Sequence, residues 1–402
     1  MNNIKQVGSD ICTGCGACAG VCPNGSIQMK YDRTGFICPE VLESCIECGK
    51  CLAHCHAVKK EKAPLFSGRQ CYMCSAKDRT LESKSASGGF CAALAYYFLN
   101  NLNGAVFGCV MSEDFSVFHT EIKTVDEIAL MQGSKYIQSD TENSFADVKK
   151  YLINKRAVLY TGTPCQIAAL KSFLGKPYEN LYTVDIICHG VPSNAAFKKY
   201  TEYLESKNNE KVKAYSFRNK TRFDRTGYQA KIEFGNGKYR YIKSGEELFF
   251  SLFSQGKSYR NACYNCKYAC PEREGDFTCG DCASRNLHKD FLPFEAVSSV
   301  IINTEKAAAL WERIKGNFYF RRINIETEIK LNKQLHECTE KPEDRDYICL
   351  AMMNGEWDKL KKYTKKPSNT GLKAKLLSHI PVNFKKTIYR IKYSVKGKKT
   401  DN

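Results

Sequence analysis

The chain has 402 residues, 22 of them cysteine, with 61 Lys+Arg against 43 Asp+Glu and 43% hydrophobic residues. That length and apolar content exclude a disordered or collagen-like chain. No apolar run approaches the ~20 residues of a bilayer span, and the polar start, residues 1–10, lacks the apolar stretch of a secretory signal. In chain order, residues 1–62 hold nine cysteines among Gly and Pro turn signals, and Pro64, Ser67 and Gly68 mark a linker. Apolar β-like runs follow at 104–110, 157–160, 181–187 and 297–302. They alternate with helix-period segments at 89–100, 145–152, 166–174, 194–204 and 304–314. Asn236-Gly237 between 229–234 and 238–243 predicts a β-hairpin. This order favours an α+β or α/β fold whose mixed sheet has parallel portions, with helices on its faces. A second cysteine cluster, Cys263 to Cys282, is inserted in it. From 336 onward the chain turns basic: residues 355–402 carry 14 Lys+Arg against three acids, so most of the +18 net charge lies there.

Twenty-two thiols in a chain without an export signal point to metal or redox chemistry in a reducing, cytoplasmic setting, not to disulfide staples. The run Cys12-x2-Cys15-x2-Cys18-x3-Cys22 recurs 33 residues later as Cys45-x2-Cys48-x2-Cys51-x3-Cys55. In two-cluster ferredoxins the fourth cysteine of each run ligates the other cluster. The spacing therefore predicts two 4Fe-4S clusters, one on Cys12, Cys15, Cys18 and Cys55, the other on Cys45, Cys48, Cys51 and Cys22. Zinc sites more often use paired C-x2-C motifs on a longer loop. Gly14 and Gly16 allow backbone N–H groups close to the sulfides, and His56 replaces the proline that usually follows the second run. Residues 1–62 thus resemble a bacterial two-cluster ferredoxin, an electron relay whose partner chemistry lies in the body.

In the body, Ser85-Ala-Ser87-Gly88-Gly89 leads into a helix-period stretch, a pattern suited to cradling a pyrophosphate. Gly133-Ser134-Lys135-Tyr136 adds a lysine and an aromatic. Each alone also fits an ordinary turn. Thr163-Pro164-Cys165 follows an apolar run and opens a helix, with Thr163 at the N-cap and Pro164 at N1. That predicts a Cys165 thiol pKa lowered by the helix dipole. Asp185-Ile-Ile-Cys188-His189 ends the next strand, where open α/β sheets bind ligands. Cys263-x2-Cys266 completes a four-thiolate candidate with Cys165 and Cys188. Cys270, Cys279 and Cys282 compete for that site, as ligands or with Cys263 and Cys266 as a local zinc site.

The motifs 85–90, 133–136, 162–170, 185–193, 217–220 and 260–281, in this order, resemble the beta-subunit family of coenzyme F420-reducing hydrogenases and dehydrogenases. That family is similar to plant 7-hydroxymethyl chlorophyll a reductases. The resemblance covers residues ~70–325 and implies an FAD-binding α/β domain in two parts, 69–152 and 153–335, behind the ferredoxin-type domain 1–62. It makes Ser85, Ser87, Gly88, Gly89, Ser134 and Lys135 flavin-site residues. It makes Cys165, Cys188, Cys263 and Cys266 ligands of a third 4Fe-4S cluster. Asp185 and His189 become candidates for proton handling near the flavin. Gly280-Asp281-Cys282-Ala283 departs from the family's aromatic-rich stretch, which puts electron acceptance from a deazaflavin in doubt.

The implied function is electron transfer among clusters, FAD and a two-electron carrier or substrate, with a redox partner protein or soluble carrier at the other end. Relatives often travel with surface-polysaccharide synthesis genes. The competing reading is a non-catalytic 4Fe-4S adaptor without flavin. Nucleic-acid binding is not expected, since the basic residues form no recognisable motif. Basic tail 336–402, with apolar residues at rough helical spacing over 372–393, suits peripheral contact with an anionic membrane surface or a solvated terminus.

Overall fold

The computed structural model describes residues 2–59, 65–141, 143–224, 227–243, 245–292 and 295–364. The two cysteine runs fold alike. Each breaks into a short helix after a left-handed glycine, Gly16 (φ 72°) before Ala17–Gly20 and Gly49 (φ 74°) before Lys50–Ala53. A Cβ there would strain the turn, which is why both copies carry glycine. Between them strands β1 (Ile27–Tyr31) and β2 (Ile37–Val41) pair antiparallel. Ile4, Ile27, Val41, Cys18, Cys51 and Cys55 form the module's small core.

The body is built on an eight-stranded mixed sheet. Its members are β3 (Gln70–Ala76), β4 (Ala105–Met111), β5 (Val117–Ile122), β6 (Val158–Gly162) and β7 (Leu181–Ile186). A separate three-stranded antiparallel sheet follows, made of β8 (Val212–Asp224), β9 (Gly227–Phe234) and β10 (Tyr239–Lys243). The chain then returns to the large sheet with β11 (Phe277–Asp281), β12 (Ser298–Ile302) and β13 (Phe318–Ile323). The large sheet's order is β13-β3-β12-β11-β7-β6-β4-β5. β4, β6, β7 and β11 run parallel, while β12 is antiparallel to both β11 and β3. The C-terminal ends of β3, β4, β6, β7 and β11 therefore share one edge, the edge where such sheets bind ligands.

Helices cover both faces. Phe90–Asn101 and Glu305–Ile314 bury Phe90, Phe98 and Trp311 against one face. Ser144–Ile153 and Pro164–Leu174 cover the other, and Ala17 of the N-terminal module packs into the same cluster. The module is tied there by hydrogen bonds between His54 Nδ1 and Ser172 O (2.7 Å) and from Ser172 Oγ to His54 O (2.9 Å).

The stretch that composition groups as a basic tail is folded as far as Thr364. Residues 345–353 and 357–360 are helical, and Ile348, Met352, Trp357 and Leu360 complete the core under the small sheet. These few apolar anchors outweigh the surrounding charge, because burying each contributes about 1.5–3 kcal/mol. The amphipathic segment 372–393, and any membrane contact through it, lies outside the described residues. No helix among the described residues is long and apolar enough to cross a membrane.

Candidate redox site

Two cavities lined by cysteine meet at one short loop. The first is bordered by Cys12, Cys15, Cys18 and Cys55, together with Thr13, Gly14, Gly16 and His56. The second is bordered by Cys165, Cys188, Cys263 and Cys266, and again by Thr13, Gly14 and Cys15. Thr13–Cys15 is thus a common wall between the two thiol sets.

The strand ends place the second set. Cys165 sits in the first turn after β6, where Pro164 takes the N1 position and Thr163 N donates to Gln166 Oε1 at 3.0 Å. Cys188 follows β7 by two residues. Cys263 lies in the short helix Asn261–Tyr264, and Cys266 comes just after it. This segment is pinned beneath β7 by a buried ion pair. Arg273 Nη2 donates to Asp185 Oδ1 at 2.8 Å, and Gly275 N to Asp185 Oδ2 at 2.7 Å. Asp185 is fully buried and both its oxygens are occupied, so its role is to position the cysteine segment. His189, by contrast, is exposed at the same strand end. Its ring lies 6.4 Å from that of Phe253, and burial on that side lowers its pKa while Asp281 partly offsets the effect.

Burial governs the thiols. Cys15, Cys165 and Cys263 are each pushed up to about 12, and Cys188 and Cys266 are also raised. The lowering expected for Cys165 at a helix start is not found: desolvation outweighs the hydrogen bond from Thr163 Oγ1 (3.1 Å) and the nearby Arg260. Without metal these thiols hold their protons, and cluster loading must displace them.

The arrangement fits iron–sulfur clusters. Among the described residues no three His, Cys, Asp or Glu side chains converge on one metal-ion position. The thiols instead stand around cavities. Zinc needs its sulfurs about 2.3 Å from a single point, whereas a cubane spreads its ligands over four irons. In the remaining set Cys51 is buried, Cys22 and Cys45 pack against the same module core, and Cys48 is exposed. The rival cysteines stand elsewhere. Cys270 Sγ donates to Lys267 O and Glu272 O (both 3.2 Å), Cys279 is buried under β11, and Cys282 Sγ faces Glu328 (3.8 Å).

Several residues that spacing does not reveal complete the junction. His56 is buried, and its Nδ1 meets the Tyr268 hydroxyl at 2.5 Å while its Nε2 meets Thr13 Oγ1 at 3.1 Å. Tyr268, Gln138, Arg260 and Cys338 line the second cavity. Gln138 Nε2 donates to Thr13 O at 3.2 Å. The only hint of any of these in the sequence is His56 standing in a proline's place.

The expected flavin residues gather at the C-terminal end of β3, on the same sheet edge. Their side chains are already engaged. Ser85 Oγ donates to Leu81 O (2.8 Å), Ser87 Oγ to Val297 O (2.8 Å), and Gly88 N to Ser298 Oγ (2.9 Å). Lys135 Nζ donates to Leu130 O (2.9 Å) and Gln132 O (3.0 Å), and Ser134 hydrogen-bonds Tyr136. Tyr136 itself is packed among Phe217, Phe250 and Phe253, as a core residue is. What fits a phosphate without rearrangement is the backbone. The helix Phe90–Asn101 starts after left-handed Gly89 (φ 82°) with no side-chain cap, leaving its first-turn N–H groups available.

These features define an iron–sulfur electron-transfer protein of the oxidoreductase type. Residues 155–328 belong to the family described as the C terminus of the coenzyme F420 hydrogenase/dehydrogenase beta subunit, and residues 11–60 match the 4Fe-4S dicluster domain. Among curated proteins, the coenzyme F420-dependent sulfite reductase of Methanocaldococcus jannaschii is 24% identical over 368 residues, 87% of this chain and 53% of that one. The chain therefore spans about half the length of that relative. Among solved structures, a chain of the F420-reducing [NiFe] hydrogenase complex from Methanosarcina barkeri aligns with a TM-score of 0.42 and 17% identity, over 75% of this chain and 91% of that one.

Proposed function

We propose that the chain is an oxidoreductase that passes electrons along three 4Fe-4S clusters to and from a flavin-type cofactor, serving a two-electron carrier. Cys45, Cys48, Cys51 and Cys22 hold the distal cluster, and exposed Cys48 makes it the contact point for a redox partner. Cys12, Cys15, Cys18 and Cys55 hold the proximal one. Cys165, Cys188, Cys263 and Cys266 hold the third. The observation that carries the reading is the Thr13–Cys15 wall common to two thiol-lined cavities, which sets adjacent clusters within one loop's width.

The clusters supply one-electron transfer, and a flavin or deazaflavin supplies the exchange between one- and two-electron chemistry. This chain's residues do the rest. The N-terminus of Phe90–Asn101 and Gly88 and Gly89 receive the cofactor's phosphates. Ser85, Ser87 and Lys135 hold that turn in shape through their bonds to neighbouring carbonyls. His189 is placed to hold a proton at its imidazole beside the third cluster, and Asp185 positions the cysteine segment. FAD follows from the family resemblance, and the names of the relatives add coenzyme F420 as a candidate carrier. A link to surface polysaccharides rests on resemblance alone.

The second reading, an adaptor without flavin, is favoured by the internal engagement of the Ser85, Ser87 and Lys135 side chains. Anaerobic purification with iron, sulfide and flavin analysis separates them. About 12 iron atoms and one flavin per chain are expected, four irons for each cubane. Eight irons without flavin would overturn the proposal, and 12 irons without flavin would select the adaptor.

A further inference from the structure

Among the described residues, the arginines Arg260, Arg273 and Arg345 are buried. Two are neutralised, Arg273 by Asp185 and Arg345 by Asp346, each at 2.8 Å. Arg260 is 3% exposed, and the structure gives it no carboxylate partner among the described residues. Its Nε donates to Cys12 O at 2.7 Å and its Nη1 to Gln138 Oε1 at 3.1 Å. Its Nη2 faces two sulfurs, Cys38 Sγ at 3.3 Å and Cys12 Sγ at 3.8 Å. The guanidinium lies 5.6 Å from the centre of the Phe36 ring. Asp32 stands beyond Cys38, with Oδ2 3.8 Å from its sulfur and Oδ1 committed to its own turn.

An unpaired charge in so dry a place costs several kcal/mol unless an anion compensates it. The anions that the surroundings can supply are thiolates and the clusters they hold. A 4Fe-4S core with four cysteine thiolates is negative when oxidised and one charge more negative when reduced. Cation proximity and hydrogen bonds to sulfur therefore favour the reduced form. Nothing comparable serves the other N-terminal set: Cys45 Sγ receives only the neutral amide of Asn3, at 3.8 Å.

We propose that Arg260 is a positioning residue that raises the reduction potential of the proximal cluster above that of the distal one. The two copies of the cysteine repeat are thereby made unequal, and an electron resides on the copy next to the third site. Arg260 achieves this from the common wall, since it also lines the second cavity. The inference rests on the cluster assignment proposed above, and iron content reports on that assignment separately.

The experiment is a potentiometric titration followed by electron paramagnetic resonance on the full chain and on Arg260→Gln and Arg260→Lys, each with its iron content. Signals are assigned by comparison with Cys48→Ala. In Arg260→Gln the proximal midpoint potential falls while the distal one stays, with iron unchanged. Equal shifts of both, or no shift at full iron content, would overturn the inference while leaving the cluster reading intact. If Arg260→Gln loses iron, Arg260→Lys decides. It keeps a charge without the fork that reaches sulfur, so a smaller fall confined to the proximal cluster is expected, and an unaltered potential overturns the inference.

Discussion

Replacing Arg273 by methionine tests how the third site is held. The Asp185 carboxylate is 0% exposed and accepts from Arg273 Nη2 at 2.8 Å and Nε at 3.2 Å. The same guanidinium donates to Tyr268 O (2.7 Å) and Ile186 O (3.3 Å), which fastens the chain just after Cys266 to the end of β7, two residues before Cys188. Removing one partner of a buried pair costs about 3–5 kcal/mol, because the other charge is left without compensation. Only the Gly275 N–H bond to Asp185 would remain. A local cost of about 4 kcal/mol raises the open population of the segment roughly a thousandfold, at 1.4 kcal/mol per factor of ten. Arg273→Met should therefore retain about eight irons of 12 and show faster amide exchange over residues 263–276, with the N-terminal module unaffected. The pair Asp185→Asn/Arg273→Met, which buries no charge, should recover part of the loss. Full iron content with unchanged exchange in Arg273→Met would refute the positioning role of this ion pair.

Other outcomes follow from single contacts. Gly14→Ala should abolish the proximal cluster: at φ 66° the new Cβ would meet Ile37 O and, at 2.8 Å, both Arg260 Nη1 and Gln138 Nε2. Iron should fall by about four per chain while the distal signal persists. Gly88→Ala would drive a methyl into Cys74 O and Ser298 N (2.7 Å), so flavin should be lost at constant iron; a variant that keeps its flavin would place the cofactor elsewhere. His119 is buried, stacked on Tyr160, and bonded through Nε2 to Thr161 O (2.9 Å) and Nδ1 to Ser139 Oγ (3.1 Å). Burial lowers its pKa from 6.5 to about 4. The unfolded chain binds the extra proton between those values, so stability is full above pH 6.5 and falls as pH drops toward 4, by roughly 3 kcal/mol in all. His119→Gln should flatten this acid limb in thermal unfolding between pH 7 and 5; an unchanged slope would exclude His119 as its source.

Much of the body was legible because its core strands are apolar runs bounded by turns. The expected 181–187 is observed as Leu181–Ile186, and 297–302 as Ser298–Ile302. The strands that escaped have other reasons. β3 draws its apolar content largely from Cys71, Met73 and Cys74, which spacing logic reads as chemistry. β11 lies inside the cysteine-rich insert, and β13 carries Arg321 and Arg322 at a position beside β3. The cysteines of the candidate site could be grouped from spacing and strand ends. Arg260, Tyr268 and His56 could not, since their partners are remote: Arg260 meets Cys12 across 248 residues and His56 meets Tyr268 across 212. The lowered pKa expected for Cys165 failed because a first-turn dipole acts on a thiol whose burial is invisible in the sequence.

The central claim is that the proximal and third clusters are neighbours across Thr13–Cys15. Electron paramagnetic resonance of the fully reduced Cys48→Ala/Cys51→Ala variant, in which the distal cluster is removed, tests it most directly. The claim predicts a spectrum broadened and split by magnetic interaction between the two remaining clusters, collapsing to one simple signal when Cys188 and Cys263 are also replaced. Two signals that add without interaction, or a spectrum indifferent to the loss of Cys188 and Cys263, would contradict it.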